Sequence, residues 1–175
     1  TFVSMTNRIR IFDQISLTHI CTINLHLDQK LKTKNKCESP EPGIVLYRGE
    51  PFRVEISRTG NQKPVLKINE TSKTMYLNIS NQSKLKPIKH IEAHLKQLAR
   101  NILKKAVRIR SNQLGVKPGL ITIRDQNTRW GSCSSKGTIS LNWRLIMAPS
   151  EVMDYVIIHE LCHLTEQNHS KQFWQ

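Results

Sequence analysis

Residues 150–170 read SEVMDYVIIHELCHLTEQNHS, and the way this stretch folds decides both the architecture and the chemistry. Val152, Val156, Ile157, Ile158, Leu161 and Leu164 recur at spacings that suit a helix. Ser150 can accept from the first free amides of such a helix, and Glu151 suits its positive end. A mostly buried helix is therefore expected from Ser150 onward, and it carries His159, Glu160 and His163 in the pattern H-E-x-x-H.

Residues four apart lie on one helical face, so His159 and His163 can share one divalent ion through their imidazole nitrogens. Glu160 sits about 100° round the helix from His159, where its carboxylate can reach a water on the metal without becoming a ligand. Zinc lowers the pKa of such a water from about 15.7 to about 7, and a neighbouring carboxylate can take the proton and later return it to a leaving amine. Burying two imidazoles and a carboxylate without partners is costly. Metal ligation removes that cost, whereas core histidines bonded to nearby carbonyls would be the alternative.

A catalytic zinc needs a third protein ligand. Glu166 lies seven residues after His159 and would share the ligand face if the helix continued. His169 lies six residues after His163, a spacing that lets a chain fold a third imidazole back onto the metal. The polar run TEQN has lost the apolar period, and Asn168 tolerates a left-handed bend. His169 is favoured, with Glu166 as the alternative or as a supporting group. Cys162 reads as a small buried filler, and Cys133 has no assigned histidine to activate it as a nucleophile.

The remaining sequence supplies a frame for this helix. The segment KLKTKNKCESPEPG at residues 30–43 combines charge, two prolines and a glycine, and reads as a linker. Before it, residues 21–27 alternate as a half-buried strand. After it, IVLYRGEPFRVEI and PVLKINETSKTMYLNI read as two hairpins forming a small antiparallel sheet. Pro87 opens a long helix that Gly115 ends, with Ile88, Ile91, Leu95, Leu98, Ile102, Ala106 and Ile109 on its apolar face. His90 and His94 on that helix are expected to face solvent. LITIRD is expected as a short strand, and GTISLNWRLI as a strand with one buried face.

The chain has 175 residues, with 27 Lys and Arg against 13 Asp and Glu, a formal charge of +14. Ten basic residues and a single acid, Glu92, lie between Lys84 and Lys117. Such a field attracts phosphate backbones, and nucleic acid is a candidate partner; a solvated helix face is the plainer alternative. The four cysteines, Cys21, Cys37, Cys133 and Cys162, form no C-x-x-C pair, which argues against a zinc ribbon or a thioredoxin-type site. No apolar run approaches the roughly 20 residues of a membrane span and no secretory signal is apparent, so the cytoplasm is the expected compartment.

Taken together, RWGSCSSKGTISLNWRLIMAPSEVMDYVIIHELCHLTEQNHSKQFW, residues 129–174, resembles the YgjP-like metallopeptidase domain, related to SprT-like and WLM proteases. The likeness is dense over residues 118–174 and looser back to residue 44; residues 1–43 are unaligned. It implies an α+β, zincin-like domain at 44–175, with zinc on His159, His163 and His169 and Glu160 as general base. It also implies an extended peptide or protein substrate pairing with an edge strand, for which GTISLNWRLI is the candidate. Arg129 and Trp130 are expected to pack that strand on the helix. Such domains continue beyond the Phe-Trp pair, so truncation at the carboxyl end is a further expectation. The alternative function is a basic module without peptidase activity that retains zinc for structure and docks on nucleic acid through the Lys84–Lys117 stretch; the association of related proteases with DNA is an analogy under which both readings hold at once.

Overall fold

The computed structural model describes residues 43–60 and 63–168. The expected strand at 21–27, nearly all of the linker, and His169 lie outside them. Strands β1 (Ile44–Tyr47) and β2 (Glu50–Arg58) pair antiparallel across a two-residue turn at Arg48 and Gly49. Both turn residues have positive φ, 51° and 81°, as the tight hairpin turn matched to strand twist requires. Strands β3 (Val65–Asn69) and β4 (Thr74–Ile79) form the second hairpin. Its turn is held by Asn69, whose Oδ1 accepts from the amides of Thr71 and Ser72 at 3.0 and 3.1 Å.

The two hairpins do not make the antiparallel sheet expected. Their order is β1-β2-β4-β3. Because β3 takes the outer edge, β4 returns beside β2 in the same direction, and the pair is parallel. The sheet is mixed.

Helix α1 (Pro87–Leu114) starts at the expected proline and ends at Gly115, whose φ of 69° lets Val116 N–H reach back to the Ser111 carbonyl at 3.0 Å. Its buried stripe runs through His90, Ile91, Leu95, Ala99, Leu103, Val107 and Ser111. That stripe is rotated from the expected face: Ile88 and Ile109 are about half exposed. His90 and His94 do not face solvent as expected. His90 is buried, with Nε2 2.8 Å from Ser83 Oγ. The ring nitrogens of His94 meet the carbonyls of His90 at 2.8 Å and Pro64 at 3.0 Å. The two side chains tie α1 to the segments flanking the first sheet.

A second sheet has the order β5-β7-β6, from β5 (Ile121–Arg124), β6 (Gly131–Cys133) and β7 (Ile139–Asn142). β5 runs parallel to β7 and β6 antiparallel to it. The stretch expected as one long strand, GTISLNWRLI, divides at Asn142. Beyond it Trp143–Met147 form a 3-10 helix, capped by Asn142 Oδ1 accepting from the Arg144 amide at 3.1 Å. Neither face of β7 is open: Ile139, Ser140, Leu141 and Asn142 are all buried.

Helix α2 (Ser150–Cys162) follows, with Ser150 as its first residue rather than its cap. It packs against α1, β6, β7 and the 3-10 helix. One cluster joins Met75, Leu77 and Ile79 of β4 to Leu103 of α1, Leu141 of β7, Leu145 of the 3-10 helix, and Ile157 and Leu161 of α2. The β1–β2 turn also docks on the 3-10 helix, with Arg48 and Gly49 amides donating to the Ile146 and Met147 carbonyls, both at 2.9 Å. The described residues are thus α+β, with two small mixed sheets, two α-helices and a 3-10 helix among them, and no described helix is long and apolar enough to cross a membrane.

Candidate active site

Val152, Val156, Ile157 and Leu161 bury α2 on its neighbours, and this sets which way the polar residues of its last turn point. Glu160 is carried inward with them and is only 7% exposed. His159 and His163, one turn apart, are partly buried on a shared face, with ring centroids 4.9 Å apart and rings nearly perpendicular. Their Nε2 atoms are 3.3 Å apart.

The helix stops at Cys162, with His163 as its cap and a turn through Thr165. Glu166 therefore does not continue the ligand face, as one alternative required. Its backbone is what matters: His163 Nδ1 donates to the Glu166 carbonyl at 3.0 Å. That bond holds the proton on Nδ1 and leaves the Nε2 lone pair directed at His159.

The separation of the two nitrogens is itself a test of whether a metal fits. Two ligand nitrogens at about 2.0–2.1 Å from a tetrahedral ion stand about 3.3–3.4 Å apart. The observed 3.3 Å meets that requirement. Among the described residues no group of three His, Cys, Asp or Glu side chains converges for a metal; His169 lies beyond them.

Glu160 faces β6. Burial pushes its carboxyl up to about 7, opposed by the positive charge of Arg129 and by a hydrogen bond donated from the Cys133 backbone N–H. Arg129 is exposed and Trp130 packs at the edge of the core, so of the pair expected to pack strand on helix only Trp130 does so. Arg129 acts on Glu160 through its charge. Burial and the Glu160 charge together push the Cys133 thiol up, and burial alone does so for Cys162. Neither has the depressed pKa of a nucleophilic thiol.

Two residues that the sequence reading left unassigned help build this corner. Asn142, expected on an exposed strand face, is fully buried. Its Nδ2 donates to the carbonyls of Gln126 at 2.8 Å and Arg129 at 3.3 Å, and its amide donates to the Trp130 carbonyl at 2.8 Å. It thereby closes the loop that delivers Arg129 and β6 to Glu160. Gly131 is the other: a Cβ built on it would lie 2.6 Å from Glu160 Oε1. A glycine directly after Arg129 and Trp130 and followed by Ser and Cys was the available signal for a close backbone approach.

No curated protein and no solved structure matches the chain. The family model described as YgjP-like, metallopeptidase domain, matches residues 17–175, a span that takes in the H-E-x-x-H helix, β6 and both hairpins. The family implies a metal and a peptide or protein substrate, and the chain belongs to the YgjP-like metallopeptidase-domain family.

Proposed function

We propose that this chain is a zinc-dependent peptidase with a zincin-like site, in which His159, His163 and His169 hold the metal and Glu160 is the general base. The 3.3 Å spacing of the two Nε2 atoms carries the reading, because it suits two ligands of one tetrahedral ion. Zinc, when bound, supplies an acidified water and a Lewis acid for the scissile carbonyl.

The protein's own groups handle the proton. A base is most effective when its pKa lies near the working pH; burial pushes Glu160 to about 7 in the metal-free chain, and a dication held beside it lowers that value. The Cys133 amide and Arg129 favour its charged form, so the carboxylate can take up a proton and give it to the leaving amine. His163 is oriented by its bond to the Glu166 carbonyl.

The substrate strand is reassigned. β7 lies between β5 and β6 and has no free edge. β6 is the edge strand beside α2. Trp130 C=O and Ser134 N–H both bond toward the β7 side, so by antiparallel alternation Gly131 and Cys133 direct their main-chain groups outward. The Cys133 N–H is taken by Glu160, so an extended peptide pairs through the outward groups that remain on that edge, giving alignment with weak sequence preference.

The test is cleavage of denatured casein by zinc-loaded protein. Glu160→Gln should keep zinc and lose at least about 100-fold in rate. Equal rates for the two, or no cleavage by the zinc-loaded wild type, would refute the reading.

A second reading concerns the basic stretch. Lys89 and Lys96 pair with Glu92, Lys96 also with Asp125, and Arg110 with Asp154. Further along α1, Lys104 and Arg108, with Lys117 just beyond the helix end, line a cavity of about 620 Å³ with no acid among its lining residues. We infer that a nucleic-acid backbone docks there. Binding of a labelled duplex should weaken steeply with salt and on Lys104→Glu and Arg108→Glu; no binding at low salt removes this reading.

A further inference from the structure

Gly131 has no need of its conformational freedom, since its φ is not positive. What it provides is space. A Cβ there would stand 2.6 Å from Oε1, 2.7 Å from Cγ and 2.9 Å from Cδ of Glu160. All three contacts are closer than real Cβ atoms tolerate, and they fall on one side chain from its middle to its tip. The Glu160 carboxylate therefore rests against the strand backbone itself. Two residues along, the outward N–H of Cys133 donates to the same carboxylate.

Glu160 has little room to yield. It is 7% exposed, and its helix is held on both sides by Ile157 and Leu161, which are fully buried. Moving the carboxylate off β6 would break the Cys133 bond and leave that edge amide without its acceptor. β6 is in turn registered against β7, Gly131 opposite Leu141 and Cys133 opposite Ile139, so the strand cannot slide away.

We propose that Gly131 is a positioning residue for Glu160: the side chain it lacks is the notch in which the carboxylate is seated against the Cys133 amide. The contact stands on geometry alone, whereas its catalytic consequence rests on the general-base role assigned above. Any side chain at 131 turns the carboxylate out of the notch while leaving His159 and His163 in place.

Two measurements decide it. In thermal unfolding, Gly131→Ala should lower the melting temperature of the wild-type chain, and the penalty should vanish in a Glu160→Ala background, where the added methyl has room. An equal penalty in both backgrounds, or none in either, overturns the proposal. If Gly131→Ala alone fails to fold, rescue by Glu160→Ala supports it and failure of rescue refutes it. In turnover on denatured casein, Gly131→Ala should bind zinc as the wild type does, keep KM and lose about 100-fold in kcat, the usual cost of displacing a catalytic group by about 1 Å. Full kcat in that variant also overturns it. The stability comparison needs no turnover, so it decides the contact even where the peptidase reading fails.

Discussion

Arg110 on α1 grips Asp154 on α2 with two donors, Nε to Oδ1 at 3.3 Å and Nη2 to Oδ2. Both side chains are about 70% buried, with 29% and 31% of their surfaces exposed. A forked pair of this kind fixes direction as well as distance. It sets the angle of α2 against α1, and with it the direction in which His159 and Glu160 leave the helix one turn later. Asp154→Asn should cost about 1 kcal/mol of unfolding free energy, measured by denaturant titration, with the loss shrinking in high salt. An unchanged midpoint would show that packing alone sets the angle.

The β1–β2 turn should be intolerant of side chains. Gly49 has φ 81°, and a Cβ on it would lie 2.7 Å from Pro149 Cγ and 3.1 Å from Pro149 Cα. Positive φ and backbone crowding act together, so Gly49→Ala should destabilise by roughly 2 kcal/mol or more. Thermal unfolding checks this, and Gly43→Ala is the control. Gly43 also has positive φ, but its Cβ would meet nothing within 4 Å. Equal losses at both positions would remove the role of the Pro149 contact.

Glu160 should make the chelator-stripped protein less stable as pH rises. Its carboxyl is raised from 4.5 to about 7 by burial, so between those values the folded chain holds a proton that the unfolded chain has released. Stability falls with pH wherever the folded state binds more protons. The group's contribution is therefore complete below pH about 4.5 and lost by about 7, a change on the order of 3 kcal/mol at most. Glu160→Gln stays neutral, so it should unfold at a higher temperature than the wild type at pH 7.5 and at a similar one near pH 4.5. Parallel curves across that range would contradict the burial of a free carboxyl.

The parts of this molecule that could be read from sequence are those with local causes. Pro87 and Gly115 bound α1 because one lacks an amide and the other accepts a left-handed bend. The two hairpins followed from alternation and turn residues. The H-E-x-x-H spacing placed His159 and His163 on one face because helical geometry is regular. What escaped depends on distant partners. The parallel pairing of β2 with β4 is a matter of topology, and β6 is three residues long, too short for any period. Asn142 looked like a solvent-facing residue because alternation assigns one face to water, yet the loop at 125–130 covers that face. Ile88 and Ile109 were placed on the core side of α1 because they are apolar, while the true stripe includes Ala99 and Ser111, small residues that let neighbouring elements approach.

Elemental analysis of the purified chain, before and after His163→Ala, tests the central claim most directly. One zinc per wild-type chain, lost in the variant with the fold retained by circular dichroism, is the predicted result. A folded wild-type chain that binds no divalent metal when zinc is supplied, or a variant that binds it equally well, would contradict the account.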